Sequence, residues 1–359
     1  MGIFSFFKKK KNSEIINDNS ISSRAEFVRE MKTKGVGLKS ALMEHAALSK
    51  DLKVKRLSRR LILIEKKNGS FLAFTHMNGI NSSRIGMNLC DRKHDSRYIL
   101  DKSGLKVVES KLFSYNSFKN AIKYANKIGY PVVVKPTSLS RGRGVTAKIQ
   151  NDEEFKRAWD NAFIAYKSNR KIRNVIVERY INGEDYRVFV IGDKVVSVTQ
   201  RKRANIVGDG TSTVLELIRK KNEERSKNPY LCNYLISEDS HQLDYLTKQN
   251  YQLDFIPKSR QEVVLRSQSN ISAGGDSIDL TDSIHKEFRD IAIKAVQSIP
   301  GINYAGVDFI AQDITVKPSR TLYVVSEIEF SPAPLAQFPY KGKSRDIAGE
   351  ILNYYLNQK

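Results

Sequence analysis

Cysteine is scarce in this chain: its 359 residues include two, Cys90 and Cys232, in unrelated segments without ligand spacing. That excludes a disulfide scaffold and a cysteine-built zinc site. No run approaches the roughly 18 to 20 apolar residues that a membrane-spanning helix requires. An apolar leader with a small-residue cleavage site is also missing. These absences lead to the expectation of a reducing, cytoplasmic setting. Zinc-finger spacing, a basic zipper and an RNA-binding signature are lacking, so a dedicated nucleic-acid binder is not expected. There is no internal repeat, no Walker loop running GK[ST] into a helix, and no Rossmann fingerprint.

Basic charge is abundant. Lys plus Arg number 61 against 39 Asp plus Glu, a net charge of +22, with 40% hydrophobic and 28% charged residues. This is the balance of a globular protein of two or three lobes with a preference for anionic partners. An acidic substrate, an anionic membrane surface and nucleic acid all satisfy that preference, although the basic residues are scattered rather than clustered. The opening stretch MGIFSFFKKKK sets Ile3, Phe4, Phe6 and Phe7 before four lysines. It reads either as a peripheral membrane contact or as a solvated terminus.

Periodicity then organises the chain into three parts. Residues 1–55 form a basic tail and a helical extension, with Phe27, Val28, Met31, Leu38, Leu42 and Leu48 at helical spacing. Residues 56–110 form a small α/β lobe: a hairpin over 61–65 and 71–76, a helix over 84–104 and a short strand over 105–108. Residues 111–359 form the principal domain. Its helix over 118–128 stops at Gly129 and Pro131, and strands follow over 132–135, 145–149, 174–180 and, as a hairpin, 186–199. Next come a helix over 213–224 with capping-box spacing between Thr213 and Glu216, a polar insertion over 226–262 and a strand over 263–267. A helix over 284–299 and strands over 304–311 and 321–330 complete the pattern. Within the domain, 130–205 reads as a lid lobe and 263–335 as a catalytic lobe.

Three constellations carry chemistry. Lys135 ends an apolar strand beside the glycine loop 138–144, an arrangement able to set one ammonium and several backbone N–H groups on a polyphosphate. Taken alone, such a loop is as readily a simple turn. Glu178 and Asp185 flank a turn at Gly183, at the edge of a pocket or as solvated carboxylates. Asp308 lies on one strand, with Glu327 and Glu329 on the next. Period-two alternation puts Glu327 and Glu329 on one face, with Asp308 able to oppose them. Converging carboxylates repel unless a cation sits among them, and oxygen donors without His or Cys favour Mg²⁺. An outward-facing acidic stripe is the alternative.

In this order VVVKP, SRGRGV, VIVERYINGEDYRVFVIG, NIVGDGTSTVLELI, LRSQSNISAGGDSID, AGVDFI and VVSEIEFSPAP resemble the ATP-grasp module of cyanophycin synthetases and of fused bacterial glutathione synthetases, over residues 85 to 335. The resemblance implies an α+β ATP-grasp fold, two α/β lobes gripping ATP, behind a small N-terminal α/β lobe and a helical extension. It implies that Lys135 contacts the α/β phosphates, while Ser138, Arg141, Gly142, Arg143 and Gly144 fold over the β/γ phosphates. Glu178, Arg179 and Tyr180 would read the adenine, and Asp185 would hold the ribose. Arg187, Arg201, Arg266 and Asn270 would line the phosphate and acyl-phosphate region. Asp308, Glu327 and Glu329 would bind Mg²⁺, two ions in all, with Mn²⁺ as a substitute. Glu329 stands where these relatives usually carry asparagine, which adds a negative charge to the site.

The function implied is ADP-forming ligation of a carboxylate to an amine, on an amino acid or small peptide, through an acyl phosphate. A homodimer is allowed by the same analogy. Two other readings keep the site: an ATP-grasp phosphotransferase, and a non-catalytic nucleotide-binding scaffold at an anionic membrane. No general base emerges among Tyr304, Glu184 and His285.

Overall fold

The computed structural model describes residues 24–137, 139, 143–166, 174–238, 246 and 248–358. The N-terminal apolar-lysine stretch and the loop residues Ser138, Arg141 and Gly142 therefore lie outside the described residues. The chain divides into two compact units, one of residues 1–81 with 348–359 and one of residues 82–347. The boundaries read from the sequence stood at 55 and 110. Among the described residues no helix is long and apolar enough to cross a membrane.

In the first unit, α1 (Arg24–Thr33) and α2 (Leu38–Leu48) precede an antiparallel sheet of β1 (Lys53–Arg56), β2 (Leu61–Glu65) and β3 (Phe71–Thr75) in that order. The expected hairpin is present, with Gly69 at φ +79° in its turn. Period-two burial sends Ile62, Ile64, Leu72 and Phe74 inward. The C-terminal helix (Ile347–Leu356) brings Tyr355 edge-on to Phe74, ring centroids 5.1 Å apart.

The second unit opens with α3 (Arg84–Asp91) and α4 (Lys93–Lys102) in place of the single helix expected over 84–104. Arg92, at φ −92° and ψ 80°, breaks the run. α3 begins against Gly301, where the Ser83 N–H meets the Gly301 carbonyl at 3.0 Å and a side chain on Gly86 would collide with the Gly301 backbone. Both α3 and, beyond Arg92, α4 lie on the strand that carries Glu327. The strand expected over 105–108 is absent too, since Val107 makes only an isolated parallel bridge to Val325 and the ladder starts at β4 (Ser110–Ser114).

A four-stranded antiparallel sheet follows, in the order β4-β7-β5-β6, from β4, β5 (Val132–Pro136), β6 (Thr146–Ile149) and β7 (Asn174–Arg179). Two helices cover it. In α5 (Phe118–Ile128) the buried Ala121, Ala125 and Ile128 recur at helical spacing. In α6 (Asp152–Ile164) Phe155, Ala158, Trp159, Ala162 and Phe163 form the inward stripe, behind an Asn151 N-cap and an acidic first turn.

A five-stranded antiparallel sheet, in the order β12-β9-β8-β13-β14, forms the second layer. It contains β8 (Glu184–Ile191) and β9 (Lys194–Lys202). A short pair, β10 (Asn205–Val207) with β11 (Glu262–Val264), lies beside α7 (Val214–Lys227), whose Thr213–Glu216 capping box is formed as expected. After β12 (Asp276–Asp279), α8 (Lys286–Gln297) buries Phe288, Ala292, Ala295 and Val296 against the sheet. Strands β13 (Tyr304–Ala311) and β14 (Tyr323–Glu329) complete it. Strands β8 and β13 are apolar where they face α8, so the polar residues at intervening positions point from the other face of the sheet.

Candidate active site

On that face lies a cleft of about 1420 Å³ in the second unit, lined by residues from both sheets, from the α3–α4 junction and from the loop 267–272. Register decides what meets there. Asp308 on β13 stands opposite Glu327 on β14 and opposite Arg187 on β8, and Asp185 stands opposite Arg201 between β8 and β9. Four adjacent strands thus present two cations and three acidic side chains to one face.

The charges neutralise one another in defined pairs. Arg187 grips Asp308 with both prongs of its fork, Nε to Oδ1 at 2.7 Å and Nη2 to Oδ2 at 2.8 Å, and Arg201 adds Nη2 to Oδ2 at 2.9 Å. Burial alone would push the Asp308 carboxyl up; the two guanidiniums outweigh it and hold the group below the usual carboxylate range. Burial likewise opposes the charge of Arg187, and Asp308 reverses the effect. Lys93 reaches Glu327 at 2.5 Å, keeping Glu327 below its ordinary value and Lys93 above its own, against the burial that opposes both. Glu329 is 3.9 Å from Arg187.

Across the cleft Lys135 donates to Glu178 Oε1 at 2.8 Å, and Arg97 from α4 donates to Oε2 at 2.7 Å. Burial works against the Glu178 charge, but Lys135 and Arg97 together bring its pKa down to about 2. Lys135 itself is lowered, because burial and the neighbouring Arg97 and Lys93 exceed the pull of Glu178. Arg97 also donates to the Ser326 carbonyl at 3.0 Å and to Ser110 Oγ at 3.2 Å. Its Nη2 is buried without a hydrogen-bond partner among the described residues. One arginine therefore joins α4, both sheets and the base of the cleft.

Of the residues singled out in the sequence, Lys135, Glu178, Arg179, Tyr180, Asp185, Arg187, Arg201, Asn270, Asp308, Glu327 and Glu329 all line this cleft. Arg143, Gly144 and Arg266 are not among its lining residues. Asp185 accepts from Ser269 Oγ and lies 3.6 Å from Arg201. Asn270 starts a turn in which its carbonyl accepts from the Gly275 N–H at 3.2 Å, and Gly274 holds φ +93°. A Cβ on Gly275 would stand 2.5 Å from the Lys202 carbonyl, so this close approach requires glycine. Among the three candidate bases only Glu184 lines the cleft; Tyr304 is buried and His285 caps α8 through Nδ1.

Sequence reasoning missed Lys93 and Arg97. Their i, i+4 spacing on one helix was the available signal, but basic side chains on a helix ordinarily belong to a solvated face.

The carboxylate triad expected for a metal differs from what is found. Among the described residues no group of three or more His, Cys, Asp or Glu side chains is placed to hold a metal ion. Asp308 and Glu327 are nevertheless register partners, hard oxygen donors on one face, and lysine and arginine now supply the neutralisation that a divalent cation would. Such a donor set fits Mg²⁺ shared with nucleotide phosphates.

Residues 91–212 match the family model described as carbamoyl-phosphate synthase L chain, ATP binding domain. Over 277 residues the chain is 34% identical to a cyanophycin synthetase of Synechocystis sp., a match covering 76% of this chain and 31% of that protein. Over 284 residues it is 34% identical to the glutathione biosynthesis bifunctional protein of Pasteurella multocida, covering 76% and 36%. The crystal structure of a bifunctional glutathione synthetase from Pasteurella multocida superposes with a TM-score of 0.67 at 30% identity, over 89% of this chain and 44% of that one. The chain thus spans about a third of the length of the curated relatives it matches.

Proposed function

The chain carries an ATP-grasp domain, which places it in the ATP-grasp superfamily, and we propose that it acts as an ADP-forming carboxylate–amine ligase on an amino acid or small peptide. The observation that carries this reading is the pairing of Asp308 with Arg187, Arg201 and, across the strand, Glu327 with Lys93. Cations and hard oxygen donors alternate on one cleft face, which is what a transferring phosphoryl group requires, because its charge spreads over three oxygens.

In the proposed reaction a substrate carboxylate oxygen attacks the γ phosphorus of ATP, the bond to the β-bridging oxygen breaks, and ADP leaves. An amine then attacks the acyl carbon, the phosphate departs with its bridging oxygen, and the nitrogen gives up a proton. Lys135 is assigned to the ATP phosphates, and Glu178 orients it. Arg179 and Tyr180 edge the base, and Asp185 the ribose. Arg187 and Arg201 would steady the reacting carboxylate and the charge on the phosphoryl group. Asp308 and Glu327, with Glu329 two positions on, would hold Mg²⁺, which supplies further neutralisation of the phosphates. Enclosure of the cleft would keep water from the acyl phosphate.

The experiment specific to this chemistry uses an acid labelled with ¹⁸O in its carboxylate. Transfer of one labelled oxygen into inorganic phosphate is expected for each acid that supports ADP release. Unlabelled phosphate would contradict the acyl-phosphate route.

A further inference from the structure

Glu178 holds two cations where one would balance it. Lys135 takes Oε1 at 2.8 Å and Arg97 takes Oε2 at 2.7 Å, with Glu178 and Arg97 both buried. The two cations are placed differently. Lys135 lines the cleft and Arg97 does not. Lys135 pairs with Ile176 across β5 and β7, so it lies diagonal to Glu178 on one sheet face, its ammonium on a flexible stem. Arg97 comes from outside that sheet, in the middle of α4, and its Nε is fixed to the Ser326 carbonyl of β14 at 3.0 Å.

A second feature separates Arg97 from an ordinary ion-pair partner. Its fork is half used. Nη1 serves Glu178 and Ser110, while Nη2 is buried with no hydrogen-bond partner among the described residues. A buried donor left without an acceptor is destabilising and calls for a reason. An arginine fork matches both oxygens of a carboxylate through parallel N–H···O bonds. Here the second oxygen, Oε1, is taken by Lys135. The spare donor and the shared carboxylate therefore belong to one arrangement.

We propose that Arg97 is the positioning residue that releases Lys135: when the Lys135 ammonium turns to the nucleotide phosphates, Arg97 keeps Glu178 paired by giving Nη2 to Oε1. This rests on the assignment of Lys135 to the ATP phosphates within the ligase reading above. Without Arg97 the turn would strand a desolvated carboxylate, so Glu178 would hold the ammonium back. Arg97 thus acts on the nucleotide through Glu178 and without touching it.

Calorimetric titration with MgADP of the full chain as wild type, Arg97→Gln, Glu178→Gln and the double variant tests this. Glutamine keeps an amide for Ser326 and Ser110 while removing the charge. Arg97→Gln should weaken MgADP binding at least about fivefold. In the Glu178→Gln background the same substitution should change the affinity less than about twofold, because no carboxylate remains to hold Lys135. Arg97→Lys should bind MgADP at least about threefold more tightly than Arg97→Gln, since a charge again faces Glu178. Unchanged affinity in Arg97→Gln overturns the proposal. An equal loss in both backgrounds does so too, because it would mean a direct pull of Arg97 on the phosphates or a general loosening of the cleft. Should Arg97→Gln fail to fold, the double variant against Glu178→Gln still decides: a loss of more than about twofold there overturns the proposal. Absence of MgADP binding in the wild type overturns the ligase reading together with this one, whereas every other contrary result overturns this one alone.

Discussion

Arg187 and Asp308, 121 residues apart in sequence, face each other across β8 and β13 and close a two-pronged ion pair at 2.7 and 2.8 Å with both side chains almost fully buried. Removing one member of such a pair leaves a desolvated charge, which costs far more than an exposed bridge. Arg187→Ala should lower folding stability by about 3 kcal/mol. Arg201 still faces Asp308 and keeps the loss near the lower end of the range. Denaturant melts of the variant against wild type measure this; a change under about 0.5 kcal/mol, the level of a surface substitution, would show the pair to be solvated.

Glu178 couples stability to acid. Its folded pKa of about 2 lies below the ordinary 4.5. The stabilisation is therefore complete above pH 4.5 and lost as the pH falls toward 2, and is worth about 3 kcal/mol. Glu178→Gln should remove that amount at neutral pH and flatten the pH dependence of stability in this window by one proton. Circular dichroism melts from pH 2 to 7 report it, and parallel curves for the two proteins would refute the assignment.

Lys135→Met should weaken MgADP binding at least about tenfold, because the one ammonium assigned above to the phosphates is lost while Arg97 still satisfies Glu178. Calorimetry gives the affinity directly. Unchanged affinity would remove Lys135 from the nucleotide site.

Glu327→Gln should raise about tenfold the Mg²⁺ concentration at which nucleotide binding is half-maximal, since one hard charged donor becomes a neutral amide. Titrating Mg²⁺ into protein, ADP and EDTA reads the midpoint. A coincident midpoint for variant and wild type would exclude Glu327 as a ligand.

Cys90 lines the cleft, yet burial, followed by Asp91 and Glu329, pushes its thiol up to about 12. The thiol stays protonated across ordinary working pH. Iodoacetamide at pH 8.5 should alkylate it at least about a hundredfold more slowly in the folded chain than in urea, as peptide mass spectrometry would show. Equal rates would mean an accessible thiolate.

Much of the catalytic sheet was legible in the sequence. Alternation on 321–330 set Glu327 and Glu329 together, and the register of β13 with β14 then brought Asp308 opposite Glu327. The hairpin of β8 and β9 and the Thr213 capping box were equally readable, being local patterns of apolar period and turn chemistry. The α3–α4 break was not legible, because neither glycine nor proline stands at Arg92 to mark it. Missing that break hid Lys93 and Arg97, whose roles depend on where α4 lies relative to β14. The engagement of Glu327 by Lys93 was hidden for the same reason, and that of Asp308 and Glu329 by Arg187 because the pairing of β8 with β13 joins strands far apart in sequence. Sequence spacing names the donors on a strand; the partners arriving from a helix are a tertiary fact.

The most direct test of the ligase assignment measures ADP release from Mg-ATP across a matrix of amino acids, small diacids and peptides, with mass spectrometry on every active pair. ADP and phosphate are expected only when an acid and an amine are both present, together with a product whose mass is the sum of the two less one water. ADP release at background for every pair, or phosphate transferred to an acceptor without an amide, would contradict it.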